Sequence, residues 1–507
     1  MVKDIKNIVL MVQPATVPLG RYGFNINFPM GLGYIAGVLE QANFNVEIID
    51  TLVEGVDQEE PLPDNPNLIT IGLNPEQIHQ RITACKPDMV GITSMFTGQF
   101  ANTQRLAEIV KSIDQEIVVV IGGAHATADP KGVLQDHNID YVVIGEGENV
   151  ILPLIDAIGS GGDFANLSGI SYRHEEQVVV RPAVKMVDVN TIPLPARHLF
   201  PMEKYFKAGE RHGIAHQGEG FRSASVLTER GCPFDCNFCS SYQIFGKALR
   251  YRNADDILAE IDQLVTEYKI NDLYLADDQF LADRKRAIKI LDGIIDKNYG
   301  LHLDAPNGLS PWMINDEVLK KMKQAGFWRL SLAIESGNEW VLQNIIKKPV
   351  KLHLLPDLVD KANNLGFEIN AFLVVGNVSE DAVETFEQIQ DSFDLMKKLK
   401  IHNLHVSYLS PHKGTEVYEI ALKKGYLAHS FEDTFYNRPK LETPLWTRKQ
   451  LELFVTIQRL LCLTNDSLLF LPLRMFASSW GGFLLNVRYK IIFGLYTMFR
   501  SLKARFA

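Results

Sequence analysis

Residues 229–239 read ERGCPFDCNFC and contain three of the five cysteines in the chain: Cys232, Cys236 and Cys239. Three thiolates on one short loop can hold three irons of a four-iron cubane and leave the fourth iron open for a ligand that is not protein. A structural zinc site normally closes with four protein ligands, so it would need a distant histidine here. A disulfide would leave one of the three cysteines unpaired. The spacing therefore predicts an iron–sulfur cluster with an open corner.

The overall composition narrows the class of protein. The chain has 507 residues, of which 46% are hydrophobic and 22% charged, and its net charge is −10. These values are typical of a globular protein of two to four domains, and the negative charge argues against general nucleic-acid binding. The few cysteines, with no recognisable secretory signal, predict a reducing, cytoplasmic location. An exposed cluster also predicts sensitivity to oxygen.

The C-terminal region differs in charge from the rest of the chain. After Asp466 there is no acidic residue, and six basic residues are interleaved with nine aromatic residues. The longest uncharged run in this region, 475–487, has 13 residues and is too short to span a bilayer. Two interpretations remain open. The region either lies as amphipathic helices on an anionic membrane surface, or forms a helical cap with a basic rim on the catalytic domain.

The first 160 residues alternate between apolar runs and helical patterns. A helix is expected at 29–42, and buried strands are expected at 8–12, 46–50, 89–93, 117–121 and 141–144. This order predicts a doubly wound, Rossmann-like α/β sheet that binds its ligand at the carboxyl ends of the strands. Small and polar residues follow the last three strands and are expected to form one glycine-lined crevice: Ser94, Gly122, Gly123, His125, Gly145 and Glu146.

A second series of strands and helices begins at Ser223. Before it, prolines interrupt the region 161–215, which predicts a connector with a small hairpin near 170–180. The expected strands of the second series are 224–228, 272–276, 301–304, 329–334, 369–375 and 404–409. Six such units predict a partial (β/α)6 barrel, whose active site lies at the carboxyl ends of its strands. Because the cysteine loop follows the first of these strands, the cluster is expected at the barrel mouth.

These motifs resemble those of a known enzyme family. The C-x3-C-x-Φ-C pattern, with the aromatic Phe238 before Cys239, resembles the signature of the radical S-adenosylmethionine superfamily. The domain order resembles the cobalamin-binding branch of that superfamily. Four further stretches resemble the same branch: MGLGYIA at 30–36, IGGAH at 121–125, VIGEGE at 143–148, and LAIESG at 332–337 followed by Lys347.

The resemblance implies three cofactors: a 4Fe–4S cluster held by the three cysteines, S-adenosylmethionine at the open iron, and cobalamin in the N-terminal crevice. The implied S-adenosylmethionine contacts are Phe238, Asp278, Glu335, Ser336 and Gly376. The implied cobalamin contacts are the six crevice residues named above. Other interpretations of single residues remain open: Asp277 and Asp278 as a helix cap, Glu335 as a structural ion pair, and His125 as a polar turn residue.

Two departures from the family patterns affect the implied contacts. The D-x-H-x-x-G motif that supplies a histidine to cobalt in many cobalamin proteins is absent, and the first histidine of the chain is His79. Base-off cobalamin without histidine ligation is therefore implied. The stretch GNVSE at 376–380 keeps the glycine and glutamate of the branch's G-x-P-G-E motif but lacks its proline.

The resemblance also implies a domain division and an activity. The expected domains are a cobalamin-binding domain (1–160), the connector (161–215), the radical S-adenosylmethionine barrel (216–430), and a helical, apolar and basic region (431–507). The expected activity is methyl transfer to an unactivated centre of a small molecule, with a lipid or isoprenoid as one candidate. Two alternatives remain: a radical oxidative cyclase or rearrangement enzyme of the anaerobic porphyrin cyclase type, and a non-catalytic cobalamin sensor. The implied partners are the small-molecule substrate and an electron donor such as flavodoxin or ferredoxin.

Overall fold

The computed structural model describes residues 4–19, 25–62, 64–162, 164–175, 177–212, 220–428 and 438–464. Its strands are, in chain order, β1 (Asn7–Val12), β2 (Ala15–Pro18), β3 (Asn45–Asp50), β4 (Glu59–Leu62), β5 (Asn65–Ile71), β6 (Met89–Thr93), β7 (Val118–Gly122), β8 (Tyr141–Val143), β9 (Ile170–His174), β10 (Gln177–Arg181), β11 (Ser223–Val226), β12 (Glu229–Arg230), β13 (Arg250–Tyr251), β14 (Asp272–Leu275), β15 (His302–Asp304), β16 (Arg329–Glu335), β17 (Glu368–Val375) and β18 (Asn403–Tyr408).

The helices alternate with most of these strands. They are α1 (Met30–Gln41), α2 (Thr51–Glu54), α3 (Pro75–Cys85), α4 (Phe100–Ile113), α5 (Ala124–Ala128), α6 (Pro130–Val133), α7 (Ile151–Gly159), α8 (Met202–His212), α9 (Ser241–Phe245), α10 (Ala254–Thr266), α11 (Arg284–Lys297), α12 (Asp316–Ala325), α13 (Glu339–Val341), α14 (Leu355–Asn364), α15 (Phe386–Lys398), α16 (Glu416–Lys423) and α17 (Arg448–Thr464). A π-helical turn, Leu342–Ile346, continues α13.

The N-terminal sheet has seven strands in the order β10-β9-β8-β7-β6-β1-β3. The strands from β8 to β3 are parallel, while β9 and β10 form an antiparallel hairpin at the far edge. Residues of β1 alternate between two cores: Ile8 and Leu10 pack on one face, Val9 and Met11 on the other. Burial on both faces explains why these strands are continuous apolar runs. The predicted doubly wound sheet is confirmed, with its switch point between β1 and β6.

A small antiparallel sheet, in the order β2-β5-β4, interrupts this pattern and was not predicted. Its edge strand β4 carries Pro61, and its central strand β5 begins with the exposed residues 65–67. A short strand with prolines and exposed polar residues has neither the apolar run nor the clean alternation that identifies a strand in sequence. Its strand β2 follows β1 after two residues, so the two sheets are adjacent in the chain.

Six parallel strands form the predicted partial barrel. They pair as β11-β14-β15 and β16-β17-β18, and parallel bridges between Leu303 and Phe327 and between Leu309 and Leu332 join the two groups. Leu330, Leu332 and Ile334 of β16 are fully buried in the hydrophobic core. The short ribbon of β12 and β13 follows β11 and holds the base of the cysteine loop. The loop therefore lies at the carboxyl end of β11, as predicted.

The C-terminal region is described only as far as α17. Phe454 of α17 packs against Phe386 at the start of α15, with ring centroids 4.7 Å apart. The basic, aromatic region after Asp466 lies outside the described residues, so both interpretations of it remain predictions. Within the ranges that the structure describes, no helix is both long and apolar enough to cross a bilayer.

Candidate active site

The cysteine loop begins with a glycine that no other residue replaces without strain. Gly231 has φ +97°, a left-handed conformation, and a Cβ at this position would lie 2.3 Å from the carbonyl oxygen of Ala248. The next residue, Cys232, donates its backbone N–H to the carbonyl of Gly246 at 3.3 Å. These contacts hold the start of the cysteine loop against the segment that leads into β13.

Asn237, between the second and third cysteines, anchors the loop to the rest of the barrel mouth. Its backbone N–H donates to Ile346 O (3.2 Å), its side-chain amide donates to Val378 O (2.9 Å), and its own carbonyl accepts from Val417 N (3.1 Å). These partners follow β16, β17 and β18 respectively. Three separate segments of the barrel therefore hold the cysteine loop at Asn237. In the C-x3-C-x-Φ-C motif this position is an x, which gives no sign of such a role.

The three thiols suit a cluster in number and chemistry. Cys232, Cys236 and Cys239 are free and half-buried on one loop. Burial raises the pKa of Cys236 to about 12 and that of Cys239 to about 11, so the thiols need a metal to become thiolates at neutral pH. Among the described side chains, no three are already gathered around the position of a single metal ion. A cubane takes its three ligands on three different irons, and this donor set fits it.

A buried lysine–glutamate pair lies beside the second cysteine. Lys348 Nζ is 2.6 Å from Glu335 Oε1, and both residues are buried. Burial by itself would lower the pKa of Lys348, but Glu335 and Cys236 raise it overall, so the ammonium remains charged next to the cluster loop. Lys347, which the family pattern singled out, is instead half-exposed and pairs with Glu416 at 2.6 Å. The sequence alone could not show which of the two adjacent lysines is buried, because their side chains point in opposite directions.

Glu335 itself occupies a strained position at the end of β16. Its φ is +68°, and the β16–β17 register shifts between Ala333 and Glu335. Strain of this kind persists only where the surroundings hold it, and it is concentrated at functional sites. In the structure the Glu335 carboxylate forms an ion pair with Lys348, as one of the two interpretations predicted. A ribose contact remains a prediction.

The two aspartates after β14 have different partners. Asp277 is fully buried and accepts from the backbone N–H groups of Thr228 (2.6 Å) and Glu229 (3.2 Å), so it clamps the approach to the cysteine loop. Burial raises the pKa of Asp277 to about 6, and burial together with Asp277 raises the pKa of Glu229 to about 9. Asp278 accepts from the Ser241 hydroxyl, just beyond the third cysteine. Of this pair, Asp278 is the one that lies against the cysteine loop.

Ser336 and Gly376 contact helices rather than an open cavity. The Ser336 hydroxyl lies 3.2 Å from that of Ser392 on α15. Gly376 has φ +80°, and a Cβ there would lie 2.8 Å from Leu451 of α17. Phe238 is half-buried and packs on the barrel core. The predicted contacts of these three residues with S-adenosylmethionine remain predictions.

Glu384, which the sequence analysis missed, holds the turn after β17. Its Oε2 accepts from the backbone N–H groups of Gly376 (2.8 Å) and Asn377 (2.9 Å) and from the Asn377 amide (2.9 Å). Glu380, the glutamate that the motif pointed to, is on the surface and pairs with Lys423 at 2.7 Å. Glu384 stands four residues further on, immediately before the capping Thr385 of α15.

Glu384 should make stability depend on pH. Burial raises its pKa from 4.5 to about 7, so the folded state binds a proton that the unfolded state releases. Its contribution to the free energy of unfolding is therefore complete below about pH 4.5 and is lost as pH rises through about 7. Denaturant unfolding should show wild type losing up to about 1.4 kcal/mol per pH unit relative to Glu384→Gln in this window. Glu380→Gln, on the surface, should leave the profile unchanged. Parallel profiles for wild type and Glu384→Gln would contradict the assignment.

Four of the six residues predicted for the N-terminal crevice lie together at the ends of β6 and β7. Ser94 donates its backbone N–H to Gly122 O (2.7 Å) and accepts from His125 N (3.1 Å). Gly123, between them, has φ +107°, and a Cβ there would lie 2.6 Å from the Ser94 carbonyl oxygen. His125 is buried, with its Nδ1 3.1 Å from the Thr97 hydroxyl. These contacts join the ends of β6 and β7, at the edge of the sheet where doubly wound folds bind their ligands.

A substitution at Gly122 tests whether this residue lines the cobalamin crevice. A Cβ there would meet only the Val143 side chain, at 3.9 Å. Gly122→Leu should therefore project into the crevice and weaken cobalamin binding at least about tenfold, with an unchanged melting temperature. Titration of hydroxocobalamin by absorbance measures this. Gly209→Leu on α8, where a Cβ has no neighbour within 4 Å, is the matched control. Equal affinities in the two variants would contradict the assignment of the crevice.

Glu146 differs from the other crevice residues because its carboxylate is fully engaged within the protein. Oε1 pairs with Arg230 (2.8 Å), and Oε2 pairs with Arg250 (2.6 Å) and accepts from Val187 N (2.9 Å). Gly145, just before it, donates its backbone N–H to the Thr127 hydroxyl at 2.9 Å and has φ +77°. Of these two predicted cobalamin contacts, Gly145 is partly exposed, whereas Glu146 is buried. The Glu146 side chain instead joins the two domains.

Comparison with known proteins identifies the family. The B12 binding domain model matches residues 23–154, and the Radical SAM superfamily model matches residues 226–389. An uncharacterized methyltransferase of Pyrococcus horikoshii is 30% identical over 425 residues, which cover 83% of this chain and 84% of that protein. The chain belongs to the cobalamin-binding radical S-adenosylmethionine family. It is an enzyme that uses a 4Fe–4S cluster, S-adenosylmethionine and cobalamin, as the sequence predicted.

Other members of the cobalamin-binding radical S-adenosylmethionine family differ in their reactions. Cytidylyl-2-hydroxyethylphosphonate methyltransferase of Streptomyces wedmorensis is 29% identical over 446 residues, covering 83% of this chain and 82% of that protein. Anaerobic magnesium-protoporphyrin IX monomethyl ester cyclase of Rubrivivax gelatinosus is 26% identical, with coverages of 71% and 60%. Hopanoid C-2 methylase of Rhodopseudomonas palustris is 23% identical, with coverages of 66% and 58%. The family thus includes methyltransferases and cyclases.

A solved structure confirms the architecture. The radical S-adenosylmethionine methyltransferase TsrM from Kitasatospora setae superposes with a TM-score of 0.65 at 18% identity, covering 83% of this chain and 77% of that one. At this identity the likeness concerns the fold alone. It supports the order of a cobalamin-binding domain followed by a radical S-adenosylmethionine barrel.

Proposed function

We propose that this enzyme transfers a methyl group to an unactivated centre of a small-molecule substrate. The observation that carries the proposal is the match over more than four-fifths of the chain to two methyltransferases, at 30% and 29% identity. When bound, the cofactors supply the methyl group and the radical that activates the substrate. A substrate carbon without an acidic proton would require such chemistry.

The residues of the chain have distinct proposed tasks. Cys232, Cys236 and Cys239 hold the cluster at the barrel mouth. Asp278 and Glu335 flank the cysteine loop and supply anionic groups, which suit the amino group and ribose hydroxyls of S-adenosylmethionine. On the other side, the crevice at Ser94, Gly122, Gly123, His125 and Gly145 receives cobalamin. The predicted domain boundaries, at residues 160, 215 and 430, are part of this proposal.

Isotope labelling tests methyl transfer. The anaerobically reconstituted full-length protein, with cobalamin and a chemical reductant, is given S-adenosylmethionine carrying a deuterated methyl group and an extract of small molecules. Mass spectrometry should show a product that carries the label and one additional CH2 unit. A labelled product would support the proposal. A product formed without label, but with loss of hydrogen, would support an oxidative cyclase instead.

The cyclase is the second candidate because anaerobic magnesium-protoporphyrin cyclases are relatives in this family. A non-catalytic cobalamin sensor is a weaker candidate, since it would not need the intact three-cysteine loop. Reconstitution that yields a cluster but no cleavage of S-adenosylmethionine would favour the sensor.

We further propose a lipid or isoprenoid as one substrate candidate and flavodoxin or ferredoxin as the electron donor. The hopanoid methylases among the relatives and the basic, aromatic region after Asp466 support the lipid. Flotation with anionic vesicles tests the membrane contact that this requires. If the full chain and a chain ending at Asp466 float equally poorly, the lipid interpretation fails. Replacing the chemical reductant with each protein donor in turn tests the electron source.

A further inference from the structure

A buried ion-pair network connects the cysteine loop to the cobalamin-binding domain. We call Arg230, Arg250, Glu146 and Glu148 the clasp. Arg230 Nη1 is 2.8 Å from Glu146 Oε1 and Nη2 is 2.7 Å from Glu148 Oε1, while Arg250 Nη1 is 2.6 Å from Glu146 Oε2. The side chains of Arg230, Glu146 and Glu148 are at most 5% exposed. The clasp is therefore screened from solvent ions.

Each half of the clasp adjoins one of the cofactor sites. Arg230 stands two residues before Cys232, the first cluster ligand. Glu146 directly follows Gly145, a proposed cobalamin contact, and a Cβ at Gly145 would lie 3.7 Å from the carbonyl oxygen of Ile244 in α9. The turn after β8 therefore lies against the helix that follows the third cysteine.

The Arg230 side chain makes four contacts that can transmit a change in the turn after β8. Its two Nη atoms are bound to two different carboxylates, and its guanidinium lies over the Tyr34 ring at 4.8 Å and the Phe245 ring at 5.5 Å. A planar guanidinium presents a separate Nη atom to each carboxylate, whereas a lysine would have a single nitrogen for both. Buried ion pairs are poor sources of net stability, because desolvation offsets their attraction. Orientation is the property that this network supplies.

We infer that Arg230 is a positioning residue that couples cobalamin binding to the order of the cysteine loop. Binding at the Gly145 turn would fix Glu146 and Glu148, which fix Arg230 and, through it, the start of the loop. By linkage, an ordered cysteine loop then strengthens cobalamin binding by the same factor. The inference rests on the cofactor sites proposed above and goes beyond them in making the two sites dependent on each other.

Hydrogen exchange of the full-length, cluster-reconstituted enzyme tests the coupling. Mass spectrometry follows the peptide 229–240 before and after addition of hydroxocobalamin. In wild type, cobalamin should slow exchange of this peptide at least about tenfold. In Arg230→Gln and Arg230→Lys, cobalamin should still bind, as read from its absorbance, but the slowing should disappear. Slowing equal to that of wild type in both variants would overturn the inference.

Arg252→Gln is the matched control. Arg252 is as buried as Arg230 and pairs with the buried Glu260 at 2.6 Å, but both of these residues belong to the barrel. This variant should keep the full effect of cobalamin on the peptide. If cobalamin fails to slow exchange of the peptide in Arg252→Gln as well, the loss is a general effect of removing a buried arginine, and the inference is overturned.

Two further measurements distinguish failure of the clasp from misfolding and from failure of the cobalamin site. If Arg230→Gln does not fold, Glu148→Gln removes one arm of the clasp while Arg230 keeps Glu146, and a reduced slowing is then expected. Cobalamin should also bind wild type more tightly with the cluster present than without it, and bind Arg230→Gln equally in both states. Failure of wild type to bind cobalamin would contradict the cofactor site itself, whereas binding without any effect on the loop would contradict only the clasp.

Discussion

Replacing Cys236 with alanine is expected to prevent cluster assembly and to abolish cleavage of S-adenosylmethionine. Two thiolates cannot hold the cubane with only one open iron, and without the cluster no radical is generated. We expect a loss of at least about a thousandfold in 5′-deoxyadenosine formation, below most detection limits. Iron content and the cluster's absorbance after anaerobic reconstitution measure the first effect, and chromatography of the nucleoside products measures the second.

The two cysteines outside the loop provide the control. Cys85 donates to Glu47 at 3.2 Å, and Cys462 lies 3.9 Å from the carbonyl of Phe393. The double variant Cys85→Ser/Cys462→Ser should keep wild-type iron content and activity. A normal cluster in Cys236→Ala, or a lost cluster in the double serine variant, would show that the ligand assignment is wrong.

The second large effect is expected at Lys348. Lys348→Met leaves the Glu335 carboxylate buried without its partner, and removal of one member of a buried pair typically costs about 3–5 kcal/mol in unfolding free energy. The variant also removes the positive charge beside Cys236. We expect a large fall in the denaturation midpoint and weaker S-adenosylmethionine binding, measured by chemical denaturation and by the change in the cluster's spectrum on adding S-adenosylmethionine.

Lys347→Met tests whether the effect belongs to the buried lysine. Its ion pair with Glu416 is about half-exposed on both sides, and such pairs contribute about 0–1 kcal/mol. The variant should unfold near the wild-type midpoint. A double variant, Lys348→Met/Glu335→Gln, removes the stranded charge and should recover part of the lost stability. If Lys347→Met is the more damaging of the two single variants, the assignment of the two lysines is reversed.

The two lysines illustrate which kind of information a motif carries. A spacing pattern locates a residue to within a position or two, but the direction of the side chain depends on the local backbone. Lys347 ends the π-helical turn in the left-handed conformation, φ +64°, and the chain reverses there so that Lys348 points inward. The same reasoning applies to the turn after β17, where Glu384 rather than Glu380 reaches the backbone N–H groups of Gly376 and Asn377.

The amino-acid sequence by itself determined the fold class, because buried parallel strands are apolar runs that can be recognised individually. The C-x3-C-x2-C spacing lies within one loop and predicted the three cluster ligands, and the resemblance of its motifs to a known family predicted the cofactors. Only the tertiary structure decided which charged groups meet. Glu146 is 84 residues from Arg230 in the chain, and nothing along the chain marks them as partners. Their contact depends on how the sheet and the barrel pack together, and a buried charge takes the partner that this packing brings within reach.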